Sequence, residues 1–150
     1  MKRFLALGAI TAIGIADVFG KYLALHWLPI FDGSHFELLK LELYTNKGAV
    51  FSLDIPQMLI IILSILLMFF LIVAFKKQIF SWDNSRIGLF ASITAIEIGA
   101  LGNVVERIAS GYVTDYLIFF NTSAINLSDI LILSGIFGLF WYSRKSEPKN

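Results

Sequence analysis

The chain of 150 residues contains no cysteine, only two histidines and few charged residues. Without cysteine it has no disulfide, no thiolate metal site and no cysteine nucleophile. His26 and His35 are too few to build a histidine-rich metal site, so we expect neither a metal nor a cofactor. The formal net charge of +1 gives no electrostatic basis for binding nucleic acid.

Apolar residues dominate what the chain does contain. Hydrophobic residues make up 57% and charged residues 15% of it, against about 45–50% and about 25% in ordinary globular domains, and the mean hydropathy is +0.77. We therefore predict an all-α polytopic membrane protein. Four apolar runs approach the ~20 residues that cross the hydrocarbon core, at about 4–25, 56–75, 87–105 and 125–142. Because no repeat or linker divides the chain, we expect one integral-membrane domain over residues 1–150.

Basic residues near the helix ends predict the orientation of the helices. They concentrate before the first run, between the second and third, and after the fourth: Lys2, Arg3, Lys76, Lys77, Arg86, Arg144, Lys145 and Lys149. We therefore expect both termini in the cytoplasm and the connections 26–55 and 106–124 at the outer face. A secretory signal peptide is the competing interpretation of the first run, but Asp17 and Lys21 interrupt it and no small-residue cleavage site follows.

Two segments of the outer connections have the patterns of strands. In LLKLELYTN, Leu39, Leu41 and Leu43 alternate with more polar residues, the period of a half-buried strand. VTDYLIFF, at 113–120, is rich in β-branched and aromatic residues. Because backbone groups at a membrane surface must still be paired, we predict a small extracytoplasmic β-sheet at the outer interface.

Polar residues at membrane depth are costly and mark candidate functional positions. Asp17 and Lys21 have the i,i+4 spacing of one helix face, either as a structural ion pair or as part of a site. Asn103 and Arg107 repeat this spacing at the outer end of the third run. A basic side chain that reaches the lipid headgroups would explain Arg107 but not Asn103.

Asp115 and Asp129 are the candidate catalytic residues. Asp129 lies about one turn into the fourth run with Asn126 on the same face, and Asp115 follows the third run. Two carboxyl groups at low dielectric retain one proton between them, so that one can polarise a carbonyl while the other activates water. The spacing by itself is weak evidence for this role and favours Asp129 as a helix cap and Asp115 as a solvated loop acid.

Five motifs of the chain resemble, in order and spacing, the motif set of the lipoprotein signal peptidases, also called signal peptidase II. They are DVFGK at 17–21, NKGAVFSL at 46–53, GALGNVVERI at 99–108, VTDY at 113–116 and INLSD at 125–129. The resemblance implies a membrane aspartyl endopeptidase of the bacterial inner membrane. Such an enzyme removes the signal peptide of a prolipoprotein just before a diacylglyceryl-modified cysteine, with its active site at the outer face.

The resemblance also assigns residues and partners. It places the catalytic pair at Asp115 and Asp129. The supporting positions are Asp17, Lys21, Asn46, Gly48, Asn103, Arg107 and Asn126. The implied partners are a lipid-modified prolipoprotein and membrane lipid. The pattern needs no partner helix, so we expect a monomer.

Three features depart from the family pattern. Glu106 stands where the family has aspartate, so its contacts must be rearranged, and Val18, Phe19 and Gly20 replace more polar residues. Glu97 falls near the middle of the third run, where it is expected to pair with Lys21 or to face a polar cavity.

Two further classes of protein are compatible with the sequence. A small four-helix transporter or channel would use the intramembrane charges as a polar pathway. A non-catalytic relative that only binds lipidated proteins is the second. Clustering of the polar residues at one face disfavours the transporter, and the presence of both aspartates disfavours the silent relative.

Overall fold

The computed structural model describes residues 1–34, 36–48, 55–80 and 86–145. In order, the described elements are α1 (Lys2–Trp27), β1 (Leu39–Asn46), α2 (Gln57–Ala74), α3 (Lys76–Phe80), α4 (Ile87–Ser110), β2 (Val113–Phe119), β3 (Ser123–Ile125) and α5 (Leu127–Lys145). Several positions named in the sequence analysis lie outside the described residues: His35, residues 49–53 of the second motif, Lys149, and the side chains of Arg144 and Lys145.

The helices follow the predicted apolar runs. Among the described residues, α1, α2 and α4 are long and apolar enough to cross a membrane, while the apolar part of α5, Leu127–Tyr142, is shorter. The 19 residues of α5 extend about 28 Å, close to the ~30 Å hydrocarbon core, and we treat α5 as the fourth span. Large apolar side chains such as Phe69 and Phe137 are exposed on the helix surfaces. They are suited to contact with lipid and not with water.

Glycines allow α4 and α5 to pack closely along their length. Gly88 lies against Tyr142, and Gly99 lies against the backbone of Ser128, which makes the two helices antiparallel. On α5, Gly135 lies against the backbone of Ser92. Small residues at such contacts let the two backbones approach closely. A side chain at any of these glycines would therefore overlap the facing helix.

A three-stranded antiparallel sheet, in the order β1-β2-β3, covers one end of the bundle. The two predicted strands correspond to β1 and β2, while the three-residue β3 was not predicted. In β1, Leu39 pairs with Phe119 and Asn46 pairs with Val113. The register shifts between Leu41 and Tyr44, so that β1 carries an extra residue there.

The two ends of the bundle differ in character. At the end away from the sheet, Arg3 donates to the carbonyl of Ile79 at 3.1 Å and lies over the ring of Phe90, which joins α1, α3 and α4. At the sheet end, α4 continues to Ser110, beyond the predicted boundary at 105. Gly111, with φ of 75°, ends α4 in the left-handed conformation and lets β2 begin at Val113.

Candidate active site

The predicted site residues gather at the sheet end of the bundle. A continuous series of hydrogen bonds links Gly48, Asn46, Asp115, Asn126, Asn103, Lys21 and Asp17, and Asp129 joins it through Asn103 and Asn126. Arg107 is connected to the same region through Gln57. These residues come from α1, β1, α4, β2 and the start of α5.

Asp129 is held at the N-terminus of α5. The side-chain oxygen of Asn126 accepts from the Asp129 N–H at 3.0 Å, and Asp129 Oδ2 accepts from the Asn126 N–H at 3.2 Å. This reciprocal pattern is a capping box, which confirms that Asp129 takes part in capping α5. The other oxygen, Oδ1, accepts from Asn103 Nδ2 at 2.8 Å. The carboxyl group therefore caps the helix and also takes part in the polar cluster.

Asp115 is buried in β2, with 1% of its surface exposed. The interpretation of Asp115 as a solvated loop acid is therefore wrong. Its Oδ1 accepts from Asn126 Nδ2 at 2.7 Å and its Oδ2 accepts from Asn46 Nδ2 at 3.1 Å. The Gly48 N–H donates to the amide oxygen of Asn46 at 3.1 Å, which turns the Asn46 NH₂ group toward Asp115.

Burial and the negative charge of Asp129 raise the pKa of Asp115 to about 7, while the hydrogen bonds from Asn46 and Asn126 and the charge of Lys21 act in the opposite direction. Near neutral pH, a large fraction of Asp115 therefore keeps its proton. Two nearby carboxyl groups that hold one proton between them are the arrangement that aspartic peptidases use.

Lys21 lies at the centre of the polar cluster. Its ammonium group contacts Asp17 Oδ2 at 3.1 Å, Glu106 Oε2 at 2.9 Å and Asn103 Oδ1 at 2.8 Å. With three acceptors around it, the buried cation is well compensated. Because Lys21 occupies the amide oxygen of Asn103, the Asn103 NH₂ group must point toward Asp129. Lys21 thus orients one of the donors of the acidic pair.

Asp17 connects α1 to the start of α5. Its Oδ1 accepts from the Tyr116 hydroxyl and from the Leu127 N–H, both at 2.9 Å, and its Oδ2 accepts from Ser128 Oγ at 2.6 Å. A negative charge at a helix N-terminus is stabilising. The two interpretations of Asp17, ion pair and site support, are therefore compatible. Sequence reasoning missed Tyr116 and Ser128, although both lie in the motifs VTDY and INLSD.

The departures from the family pattern have different outcomes. Glu106 reaches two partners, since its Oε1 accepts from the Thr114 N–H at 3.0 Å and its Oε2 pairs with Lys21. Of the two alternatives for Glu97, pairing with Lys21 is wrong, because Lys21 contacts Asp17, Glu106 and Asn103 instead. Glu97 precedes Glu106 by nine residues in α4, about 13 Å along the helix axis. Among the described residues, Glu97 Oε1 has no hydrogen-bond partner.

Arg107 lies between α4 and the first residue of α2. Its Nη1 donates to Gln57 Oε1 at 3.1 Å, and the amide nitrogen of Gln57 donates to the carbonyl of Lys47. The charges of Asp115 and Asp129 act on the Arg107 guanidinium. Arg107 therefore has a hydrogen-bond partner within the protein, which an interpretation as a headgroup anchor alone does not explain. Sequence reasoning missed Gln57, which opens an apolar run and gives no signal of its own.

The fold is that of a bacterial membrane enzyme. A solved structure described as such superposes with a TM-score of 0.78 at 20% sequence identity, over 97% of this chain and 93% of that one. Residues 9–145 match the family described as Signal peptidase (SPase) II. The lipoprotein signal peptidase of Bartonella henselae is 32% identical over 95% of this chain and 93% of its own length, and that of Bartonella quintana is 32% identical over 98% and 93%. The chain belongs to the signal peptidase II family, as its motifs predicted.

Proposed function

We propose that Asp115 and Asp129 are the catalytic pair of an aspartic-type peptidase that removes signal peptides from bacterial prolipoproteins. Membership of the signal peptidase II family and the name of the relatives, lipoprotein signal peptidase, support the reaction. One observation carries the assignment of the residues. The single side-chain amide of Asn126 donates to Asp115 and accepts from the backbone of Asp129, so it holds the two acids together.

In the proposed reaction, Asp115 begins protonated and Asp129 begins ionised. Asp115 donates a hydrogen bond to the scissile carbonyl, and Asp129 takes a proton from a water molecule whose oxygen adds to the carbonyl carbon. The proton on Asp129 then passes to the amide nitrogen as the C–N bond of the tetrahedral intermediate breaks. The products are a carboxyl group on the signal peptide and a free amine on the lipidated cysteine. The pKa of Asp115, about 7, supports its role as the acid.

The surrounding polar residues have two proposed roles. Asp17, Lys21, Asn103 and Asn126 orient the acidic pair through their contacts with it and with one another. Arg107, Asn46 and Gly48 are at the edge of the cluster toward β1 and α2, where we propose that they hold the backbone of the substrate. A guanidinium and a side-chain amide are both donors that can bind peptide carbonyl groups.

The orientation in the membrane is proposed from the distribution of charge. Lys2, Arg3, Lys76, Lys77 and Arg86 belong to the end of the bundle opposite the sheet. The positive-inside rule assigns that end to the cytoplasm. The termini are then cytoplasmic and the site opens at the outer face, where a substrate anchored by its acyl chains presents its scissile bond. In this proposal one chain forms the complete catalytic domain, as a monomer.

The alternative classes receive less support. A transporter needs polar groups through the full depth of the membrane, whereas the cluster around Lys21 lies at one end of the bundle. Among the described residues of the spans, Glu97 is the acidic side chain that stands apart from this cluster. A non-catalytic relative has no need for a buried pair of acids joined through Asn126, since burial of a carboxyl group is costly even when it is hydrogen-bonded.

Cleavage of a diacylglyceryl-modified prolipoprotein by the purified chain in detergent tests the proposal. Asp115→Asn and Asp129→Asn are each expected to abolish cleavage, because the first change removes the acid that polarises the carbonyl and the second removes the base that activates water. A chelator is expected to leave the parent activity unchanged. Asp32→Asn, which changes an exposed acid of the loop before β1, is the matched control and should keep parent activity.

The result is informative only for folded protein, so each variant is compared with the parent by size-exclusion elution and thermal unfolding. Substantial cleavage by a folded Asp115→Asn or Asp129→Asn variant would contradict the assignment of that residue. Absence of cleavage by the folded parent would contradict the proposed function itself.

A further inference from the structure

The hydroxyl group of Tyr116 joins three elements beside the proposed catalytic pair. Tyr116 is buried in β2, and its O–H donates to Asp17 Oδ1 of α1 at 2.9 Å. The same oxygen accepts from the N–H of Leu127, the first residue of α5, at 3.3 Å. Leu127 also donates to Asp17 Oδ1, at 2.9 Å. The three groups form a closed triangle that fixes β2, α1 and α5 relative to one another.

This triangle lies between the two chain segments that carry the acids. Tyr116 directly follows Asp115 in β2, and Leu127 precedes Asp129 by two positions in α5. Because consecutive side chains of a strand point to opposite faces, the Tyr116 hydroxyl does not occupy the side on which Asp115 meets Asn126. A movement of Tyr116 away from Leu127 would nevertheless change the distance between the two acids.

The surface of α1 is shaped for the Tyr116 ring. A Cβ atom at Gly20 would lie 2.9 Å from both Cζ and Oη of Tyr116. Non-bonded carbon atoms pack at about 3.5–4.0 Å, so any side chain at position 20 would push the ring away. Gly20 is also one of the positions at which the first motif departs from the family pattern. The close fit is an observation independent of the hydrogen bonds.

We propose that the Tyr116 hydroxyl, seated against Gly20, is a positioning group that sets the spacing of Asp115 and Asp129 and so the rate of the chemical step. The inference rests on the proposed catalytic pair. Tyr116 does not touch the reacting atoms, because it acts through the backbone of β2 and of the first turn of α5.

The hydroxyl is suited to this role over the whole pH range of an aspartic peptidase. Burial and the charge of Asp17 raise the pKa of Tyr116, so its O–H remains a donor. The charged groups that act on the triangle and the acids come from three helices: Asp17 and Lys21 of α1, Glu106 and Arg107 of α4, and Asp129 of α5. On β1, the titratable residue Tyr44 is the register partner of Asp115. Replacement of Tyr116 by phenylalanine changes none of these charges.

The first test is the kinetics of Tyr116→Phe with a diacylglyceryl-modified prolipoprotein. We expect kcat to fall about 10- to 100-fold, the effect of a small misplacement of catalytic groups. KM should stay within about twofold, because the buried ring does not contact substrate. The alkaline limb of the kcat profile should move to lower pH by about half a unit or more, because a wider separation weakens the action of Asp129 on Asp115.

The second test keeps the Tyr116 hydroxyl and disrupts the packing of the Tyr116 ring against Gly20. Gly20→Ala is expected to lower kcat in the same way as Tyr116→Phe. Because both changes break one contact, the double variant should fall no more than about twofold below the lower single variant. Tyr22→Phe and Gly8→Ala are the matched controls on α1. Tyr22 is 54% exposed, and a Cβ atom at Gly8 meets nothing within 4 Å.

A second readout does not depend on activity. The thermal unfolding midpoint of each variant is measured across pH, and the inference predicts that the pH at which Asp115 affects stability shifts in Tyr116→Phe. Parent-like kcat in Tyr116→Phe would overturn the inference. So would a uniform loss of stability with unchanged pH profiles, since that describes a merely structural residue. If the folded parent fails to cleave, the proposed function is contradicted. The pH dependence of the unfolding midpoint, compared between Tyr116→Phe and the parent, still decides whether Tyr116 positions the acids.

Discussion

Asp115→Asn is expected to change the pH dependence of stability. The folded protein holds the Asp115 proton more tightly than the unfolded chain does, because the pKa of Asp115 is raised from 3.8 to about 7. The resulting stabilisation is fully present below the unfolded pKa and is lost as the pH rises through the folded pKa. The parent should therefore lose stability between about pH 4 and about pH 7. Asparagine does not titrate, so the variant should lack this loss.

The expected magnitude follows from the shift and from the contacts of the side chain. A pKa unit corresponds to about 1.4 kcal/mol, so the shift is worth at most about 4 kcal/mol across the window. In the variant, the new NH₂ group faces the NH₂ group of Asn46 or of Asn126, which costs about 1–3 kcal/mol. The variant should thus be less stable than the parent at about pH 4.5 and more stable at about pH 8.

Thermal unfolding in detergent, followed by tryptophan fluorescence, measures this difference. Parent and variant are compared at several pH values, so that the titration of other acids is common to both curves. Asp32→Asn, which removes an exposed carboxyl group outside the polar cluster, is measured in the same way as the control. Parallel curves for the parent and Asp115→Asn would refute the reasoning, because they would mean that Asp115 titrates alike in the folded and unfolded chain.

Two further predictions concern activity. First, kcat of the parent should fall as the pH rises above about 7, because Asp115 must be protonated to polarise the scissile carbonyl. A kcat profile that stays flat to about pH 9 would show that another group supplies the proton. Second, Arg107→Ala should lower cleavage about 10- to 100-fold while the protein stays inserted, since a charge-assisted hydrogen bond to substrate contributes about 1.5–3 kcal/mol. Arg107→Lys is the matched variant that keeps the charge, and unchanged cleavage by Arg107→Ala would make Arg107 a headgroup anchor.

The sequence predicted the helices well because the membrane imposes a simple rule on them. A span must be apolar over about 20 residues. The helices α1, α2 and α4 satisfy this rule, and the apolar part of α5 is shorter. The end of α4 was predicted five residues early, at 105, because Glu106 and Arg107 look like the start of a loop. Both instead face the polar cluster, so the helix continues to Ser110. The strand β3 was missed because three residues are too few for a period-two pattern.

The structure brings the predicted site residues together, and their catalytic roles stay a prediction. Contacts that depend on a tertiary partner were not predicted. Asp115, Asp129 and Asn126 were found from their side chains and motifs. Tyr116 was missed because its partner Asp17 lies 99 residues away in the chain. The sequence also could not choose between the two alternatives for Glu97, since it does not reveal that Lys21 is already surrounded by three acceptors.

The carboxyl group of Asp17 has a consequence for the biogenesis of the protein. It lies in α1, yet two of its partners, Leu127 and Ser128, begin α5 and are translated 110 and 111 residues later. The acidic pair is likewise incomplete until Asp129 has been translated. A nascent chain in which α5 has not yet been inserted therefore lacks one acid of the proposed catalytic pair. With Asp115 and Asp129 as the proposed catalytic pair, proteolytic competence would arise only when α5 docks against α1, and a partly synthesised chain would be inactive in the membrane.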